Sequence, residues 1–566
     1  MNKNHDRSDL NRRRFVKSMA AVGGVGLFAG CTGDDEPPVG GDDDGGNGAN
    51  GGGEGGTAII AQGGEIETLD PRMNSLAWYS TAAHYMFDSL LMMEPDGEGT
   101  VPHLLEDHLE EEDEVTYVGQ LEEGVMFHNG EEMTAEDVAY TYNWVLDPDN
   151  ASPRASFIDF IDEVEATGDY EITLHLEYPF ALLENILAGM YAPVVPMDAA
   201  EEMGQEEFEQ APIGTGPFQY ADHGSASHLT MERFDDYFLG TPRLDGVEYE
   251  IIPEEEVAFV ELATGGVHQT SVPEVLIDEA EENEEVNHKI FSAFNYRGFI
   301  LNCLEEPFDD VEVREALHYL VDYDELMLGA VDQLGSRSWG YMPQGVVDVW
   351  DFPYEEWEAE YYPDQDRDQA ADMLEGAGVD LDSLDVDILA LSGENWMGMS
   401  VVLQNEFEQI GVDASIREVG TGEWLDALDE GTFDICTYGF GVGDDPDGMF
   451  YNFFRDLEND DGGMDEGTLG NSSAGYVHEA YRGTDTEDEL QRLDQHIRDG
   501  RSTLDQDERY EHYVEAADIV HSNYVGIPVY AGENVTGWRT ELQDYEPTEF
   551  GDQELFNHWQ EAWLDE

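Results

Sequence analysis

Residues 121–146, LEEGVMFHNGEEMTAEDVAYTYNWVL, constrain the fold more tightly than any other stretch of the chain. Gly124 ends one segment, and residues 125–128 form a short extended run. Asn129-Gly130 supplies a φ > 0 pair that closes a tight hairpin. Thr134 and Asp137 have the spacing of a capping box, hydroxyl first and carboxylate three residues on. Behind the cap, Val138, Tyr142 and Val145 recur at i, i+4 and i+7, the apolar face of an amphipathic helix. Asp147-Pro148 stops that helix, because the residue before a proline is pushed out of the α region. The stretch therefore predicts a strand, a turn and a capped helix.

A chain of 566 residues is too long for one hydrophobic core and divides into about two to four domains. Its 40% hydrophobic content is enough to fill them, so global disorder is excluded. The 130 acidic residues against 23 basic ones give a formal charge of -107, and a phosphate backbone would be repelled, which excludes nucleic acid as a partner. The acids are spread through every segment and do not form one solvated tail. Self-repulsion on this scale destabilises a compact state in dilute buffer. At 1 M salt the Debye length falls to about 3 Å and most of the repulsion is screened. The composition therefore predicts adaptation to multimolar salt. Lysine is nearly absent, occurring only as Lys3, Lys17 and Lys289.

Residues 11–17, NRRRFVK, match a twin-arginine export pattern carried by Arg12 and Arg13. The apolar run 19–30 has 12 residues, too few to span about 30 Å of hydrocarbon at about 1.5 Å per residue, and reads as a signal segment. It closes on Phe28-Ala29-Gly30-Cys31, which resembles a lipobox with Cys31 as the lipidation site. The Gly- and Asp-rich run 32–56 is a flexible tether with an r.m.s. reach of about 28 Å. Cys303 and Cys436 show no metal-binding spacing and are either buried thiols or a disulfide.

Several short motifs then follow in a fixed order. They are Leu69-Asp70-Pro71, the 121–146 stretch, Gly214-Thr215-Gly216-Pro217-Phe218, Asn302 with 307–317 (PFDDVEVREAL), Ile410-Gly411-Val412, Gly431–Ile435, Asp445-Pro446-Asp447 and Ile527-Pro528-Val529-Tyr530. In that order they resemble the extracytoplasmic solute-binding proteins of family 5, the peptide/oligopeptide/nickel-binding lipoproteins of ABC importers, here in a halophilic archaeal form. The resemblance implies an α/β, two-lobed periplasmic-binding-protein-like fold (class II, cluster C) with an additional small domain. It implies lobe I from 57–92, 212–290 and 525–566, a small inserted domain over 93–211, and lobe II over 291–524. Residues 82–93 and 181–187 look helical and 171–176 look extended.

The same resemblance puts the ligand cleft at Asn74, Ser75, Leu76, Ala77 and Trp78 in one lobe. In the other lobe it puts the cleft at Tyr438, Gly439, Phe440, Gly441, Asp444 and Asp445. Trp78, Phe440 and Trp396 are candidates for side-chain pockets. Val442 stands where peptide binders carry an Asp that meets the ligand's ammonium, and Asp444 is the nearest substitute. A ligand carboxylate would need a cation, for which Arg297, Arg337, Arg417 and Arg455 are equal candidates. No zincin, nucleophile-elbow, P-loop or dinucleotide motif is present, so the expectation is a binding protein, not an enzyme. No cofactor or resident metal is expected, and the histidines, His512 and His521 among them, read mostly as surface residues.

The implied role is capture of a peptide-like solute by a monomer lipid-anchored at the extracytoplasmic face of the membrane, with delivery to ABC permease subunits. The alternatives are an oligosaccharide, a nickel or other metal chelate or another organic solute as cargo, and a sensory receptor component as the role.

Overall fold

The computed structural model describes residues 55–66, 68–74, 77–93, 99–189, 191–292, 294–331, 334–338, 340–441, 445–455, 487–545, 547 and 562–565. Arg12, Arg13, Cys31 and the tether as far as residue 54 lie outside the described residues.

The described chain opens with β1 (Thr57–Gln62), α1 (Ala77–Met86), β2 (Leu91–Met93) and β3 (Thr100–Pro102). The helix expected over 82–93 instead stops at Met86, whose carbonyl accepts the amide of Gly216 at 3.0 Å. Residues 91–93 are extended and pair with β3. Next come β4 (Glu110–Asp113), β5 (Thr116–Gln120), α2 (Ala135–Leu146), β6 (Ile161–Ala166), β7 (Glu171–Leu176) and α3 (Leu183–Ala188). The four strands form an antiparallel sheet in the order β4-β5-β7-β6. Helix α2 covers it through Val138, Tyr142 and Val145, each at most 2% exposed.

The cap of α2 is as the spacing predicts. The Asp137 carboxylate accepts both the Thr134 amide and the Thr134 hydroxyl, each at 2.9 Å. The hairpin before it differs from expectation. Only Gly130 has positive φ, at 82°. The Gly130 amide returns to the Phe127 carbonyl and the Phe127 amide to the Glu131 carbonyl, each at 2.8 Å. This is a three-residue loop, a turn followed by a left-handed glycine. The Asn129 side chain accepts the Glu131 amide at 3.0 Å, which satisfies the turn locally without driving Asn129 into positive φ.

The later elements used below are β8 (Phe218–Gly224), β9 (His228–Arg233), β10 (Gly246–Ile251), β11 (Gln269–Ser271), β12 (Val286–Ser292), β13 (Asn295–Leu301), α4 (Val311–Leu320) and β14 (Gly335–Arg337). They continue with β15 (Asp385–Leu391), α5 (Glu394–Gln409), β16 (Asp413–Val419), β17 (Ile435–Gly441), α6 (Asp447–Phe454), α7 (Glu487–Ser502), α8 (Gln506–Ser522) and β18 (Gly526–Arg539). One connected sheet runs β16-β15-β17-β13-β18-β11-β1-β10-β9-β8, with β12 and β14 also paired to β18. Strands β15 and β16 are parallel and joined through α5, a crossover that covers one sheet face. Helix α4 opens as its sequence predicts, with Asp310 accepting the Glu312 amide and Val313, Leu317 and Leu320 buried.

Strand β18 joins two half-sheets. Residues 526–532 pair with β13 and β14, and residues 533–539 pair with β12 and β11. Strands β12 and β13 follow each other directly in sequence, so the chain crosses between the halves at 292–295 alongside 530–533. The Asn295 side chain accepts the Gly532 amide at 2.8 Å and ties the two crossings together. Separate cores lie under each half, around Ile60, Met231 and Tyr249 in one and around Phe299, Ile388 and Leu403 in the other.

Candidate functional site

The two crossings make the junction of the half-sheets the place to look for a ligand. In open α/β sheets ligands lie beyond the carboxyl ends of the parallel strands. Here those ends are Leu391 of β15 and Gly441 of β17, beside Asn295.

The segment after Leu69-Asp70-Pro71 contributes a framework. Asp70 is fully buried and accepts from Arg72 Nε at 3.0 Å and Nη2 at 2.8 Å. The Arg72 guanidinium also lies 4.1 Å from the Trp144 ring centre, so this motif clamps α2 of the 121–146 stretch. Asn74 is 3% exposed and its amide donates to the Thr68 carbonyl at 2.9 Å. Ser75 and Leu76 lie outside the described residues. Ala77 and Trp78 form the first turn of α1.

On the opposite half, the structure separates the predicted residues into two groups. Tyr438 is 2% exposed, stacked on Trp424 at 5.9 Å and set edge-on to Phe453, so it faces the interior. Gly439 pairs with Arg297 across β13, and Trp396 lies directly over it. A Cβ on Gly439 would stand 2.7 Å from the indole and 3.2 Å from Arg297 Cγ. The Arg297 guanidinium sits 4.9 Å from the Trp396 ring centre. Trp396, Gly439 and Gly441 thus come together beside the crossing. The backbone of Phe440 belongs to the same strand, and Asp444 lies outside the described residues.

Asp445 is engaged internally. It is 8% exposed, accepts Arg509 Nη2 at 2.9 Å and accepts the Asp447 amide at 2.9 Å. Burial lifts its carboxyl to about 6 even though Arg509 opposes the shift. Asp447 in turn pairs with Arg501 and accepts the Tyr513 hydroxyl at 3.1 Å. Arg501 reaches further: its carbonyl accepts the Ala181 amide at 3.0 Å, and its guanidinium lies 4.6 Å from the Phe180 ring centre. The Asp-Pro-Asp motif therefore fastens α7 and α8, and through Arg501 it touches the chain just after β7.

Cys303 and Cys436 are free thiols, both buried, and burial raises both thiols. His521 is buried, not a surface residue; packed against Trp357 and Tyr361, it is held near pKa 3 by desolvation. His318 is also buried, and desolvation lowers it to about 3. His128 docks the 121–146 stretch onto the Gly-Thr-Gly-Pro turn. The Gly214 amide donates to its Nδ1 at 3.2 Å, which fixes Nε2–H as the donor to the Gly216 carbonyl at 2.9 Å.

Sequence reasoning missed Asn295, Asn395 and Tyr530 at the junction; the register of β13 against β18 brings the first and last there, and Asn395 reaches the Tyr530 hydroxyl from α5. Among the described residues no group of three His, Cys, Asp or Glu side chains is placed to hold a metal. No helix among them is long and apolar enough to cross a membrane.

Comparison with known proteins adds a family. Residues 99–461 match the family described as bacterial extracellular solute-binding proteins, family 5 Middle. The chain is 27% identical to the oligopeptide-binding protein AppA of Bacillus subtilis (strain 168) over 358 residues, 59% of this chain and 64% of that protein's length. It is 24% identical to the probable di/tripeptide-binding protein 5 of Pseudomonas aeruginosa (strain UCBPP-PA14) over 509 residues, covering 85% and 91% of the two chains. The fold is similar to the crystal structure of the ABC transporter substrate-binding protein CtaP of Listeria monocytogenes. That similarity has a TM-score of 0.74 at 22% identity, over 91% of this chain and 100% of the other.

Proposed function

Because the chain belongs to family 5 of the bacterial extracellular solute-binding proteins, we propose that it captures a peptide-like solute between its two lobes and delivers it to an ABC permease in the membrane. Members of this family are substrate-binding proteins and not enzymes. The observation that carries the reading is the pair of crossing strands at 292–295 and 530–533. Two lobes joined by such strands can rotate about them and enclose a solute. Ligand that prefers the closed form shifts the population toward it, and a permease that recognises that form receives loaded protein selectively.

In this reading the ligand meets residues 74–78 from lobe I and the edge at Gly439, Phe440 and Gly441 with Trp396 from lobe II. Exposed strand ends with small residues pair with a peptide backbone in the manner of an added strand. Asp444 follows this edge in sequence, while Asp445 and Tyr438 are buried framework. The proposed domain plan keeps lobe I at 57–92, 212–290 and 525–566, the inserted domain at 93–211 and lobe II at 291–524. Twin-arginine export, a lipid on Cys31 and the tether would hold one monomer at the outer membrane face, in a cell with multimolar salt.

Mass spectrometry of ligand released from protein purified in high salt tests the cargo. Recovered peptides support the reading; a recovered sugar, metal chelate or other solute replaces it. Transport by the neighbouring permease that fails when this chain is deleted supports delivery, and unimpaired transport with loss of a transcriptional or motile response favours a receptor role.

A further inference from the structure

We propose that Arg297 is the residue that selects cargo by a free carboxylate, with its guanidinium held over Trp396 as a preformed receptor for that group. This rests on the capture reading above and narrows it.

In a chain with 130 acids and 23 bases, an arginine lies close to a carboxylate almost by default. The other three candidate cations follow that rule or are closed off by backbone. Arg337 lies 3.5 Å from Asp324, and Arg417 pairs with Asp387 at 2.9 Å. Arg455 is fully buried, stacked on Tyr451 and donating to the Tyr451 carbonyl. Among the described residues the Arg297 side chain makes no hydrogen bond and no ion pair; its guanidinium lies against the indole face of Trp396 at 4.9 Å.

That contact orients the group without satisfying it. A cation–π contact engages the face of the guanidinium and leaves its rim of N–H donors free. Arg297 is half-buried, so its donors still reach the surface, where an arriving acceptor can meet them. A carboxylate meets two of them at once, in the fork geometry that arginine favours.

The surroundings hold this arrangement. Gly439 admits the indole, since any side chain there would meet it at 2.7 Å. Gly393, at φ 144°, begins the turn that carries Trp396, and a Cβ on it would lie 3.2 Å from the ring. Tyr530 stands opposite Arg297 in the sheet, and the Asn395 amide reaches its hydroxyl at 3.5 Å. Arg297 is two residues from Asn295, where the chain crosses between the lobes. A half-buried bidentate pair is also screened less by salt than an exposed one, which suits recognition in brine.

The test uses the full chain in high salt and two probes made from one tryptic peptide digest. One probe is untreated, and the other has its carboxylates methyl-esterified. Retained peptide is quantified by mass spectrometry. The wild type is expected to retain the untreated digest and to lose at least about tenfold with the esterified one, the least expected for a lost charge-assisted hydrogen bond. R297Q is expected to lose the same and to stop discriminating, with R297K between them. Equal retention of both probes by the wild type, an arm that needs no variant, overturns the assignment and leaves peptide capture standing. Undiminished discrimination by a folded R297Q does the same. A wild type that retains neither probe overturns the capture reading and this assignment with it.

Discussion

The Arg509–Asp445 pair is the place where stability and ligand binding can be told apart by one pair of substitutions. The N–O distance is 2.9 Å and the side chains are 7% and 12% exposed, so neither charge can be rescued by water. Arg509→Met removes the cation and leaves Asp445 buried. Burial already lifts that carboxyl to about 6 with Arg509 beside it, so without the arginine it should protonate at neutral pH. Breaking a buried pair from one side costs about 3–5 kcal/mol. Asp445→Asn keeps an amide oxygen that can accept from Arg509 but removes the charge that balances the buried guanidinium, and should cost about 2–4 kcal/mol. The double variant should lose about 2 kcal/mol less than the sum of the singles, because it strands no charge. Urea unfolding at fixed multimolar KCl measures this; guanidinium is unsuitable because it is itself a salt. A coupling below about 0.5 kcal/mol, the range of independent sites, refutes an energetically linked pair. The functional half is equally direct. If Asp445 is framework, folded Asp445→Asn retains ligand as the wild type does. Lost binding at unchanged stability would return Asp445 to the ligand.

Other outcomes follow from the same physics. Gly216→Ala places a Cβ 2.5 Å from the Met86 carbonyl carbon and 2.6 Å from the Tyr85 oxygen, so it should destabilise by more than about 3 kcal/mol in the same urea assay. His318 and His521 are buried and neutral, both near pKa 3 against an ordinary 6.5. The unfolded chain protonates first, so their stabilising contribution is complete above pH 6.5 and declines as pH falls toward 3. The loss is about 2 kcal/mol per histidine by about pH 5, and a stability–pH curve that His521→Phe does not flatten would contradict it. Thermal melting in dilute buffer should fall well below that in multimolar KCl, and equal melting points would remove the salt-adaptation proposal.

Local structure was legible wherever a short-range rule governed it. The Thr134–Asp137 cap, the Asp310 cap and the apolar faces of α2 and α4 all follow from spacing. The hairpin at Asn129-Gly130 was misread in detail because the asparagine side chain closes its own turn, an option the dipeptide alone does not exclude. Site residues were harder to place. Asp445 and Tyr438 sit in a motif that reads as ligand-lining, yet their partners Arg509 and Trp424 lie on helices that no local pattern connects to them. Trp396, Arg297 and Gly439 come from three separate elements; the register of β13 against β17 unites the last two, and the indole packs over them from α5. Among four arginines equal in sequence, nearby carboxylates set Arg337 and Arg417 apart from Arg297, and full burial against Tyr451 sets Arg455 apart.

Strand β18 has a consequence for how the protein is made. It supplies pairing partners to both half-sheets from residues 526–539 of 566. Neither half-sheet is therefore complete until nearly the whole chain has left the ribosome. A nascent chain carrying β1, β12, β13 and β17 exposes strand edges that are open to wrong partners until the last strand arrives. Cutting the gene between β12 and β13 would not yield two folding units, since the first fragment would lack residues 533–539 of β18 and the second would carry them unpaired. The like charges spread along the chain then have a second use, keeping unfinished molecules apart during that wait.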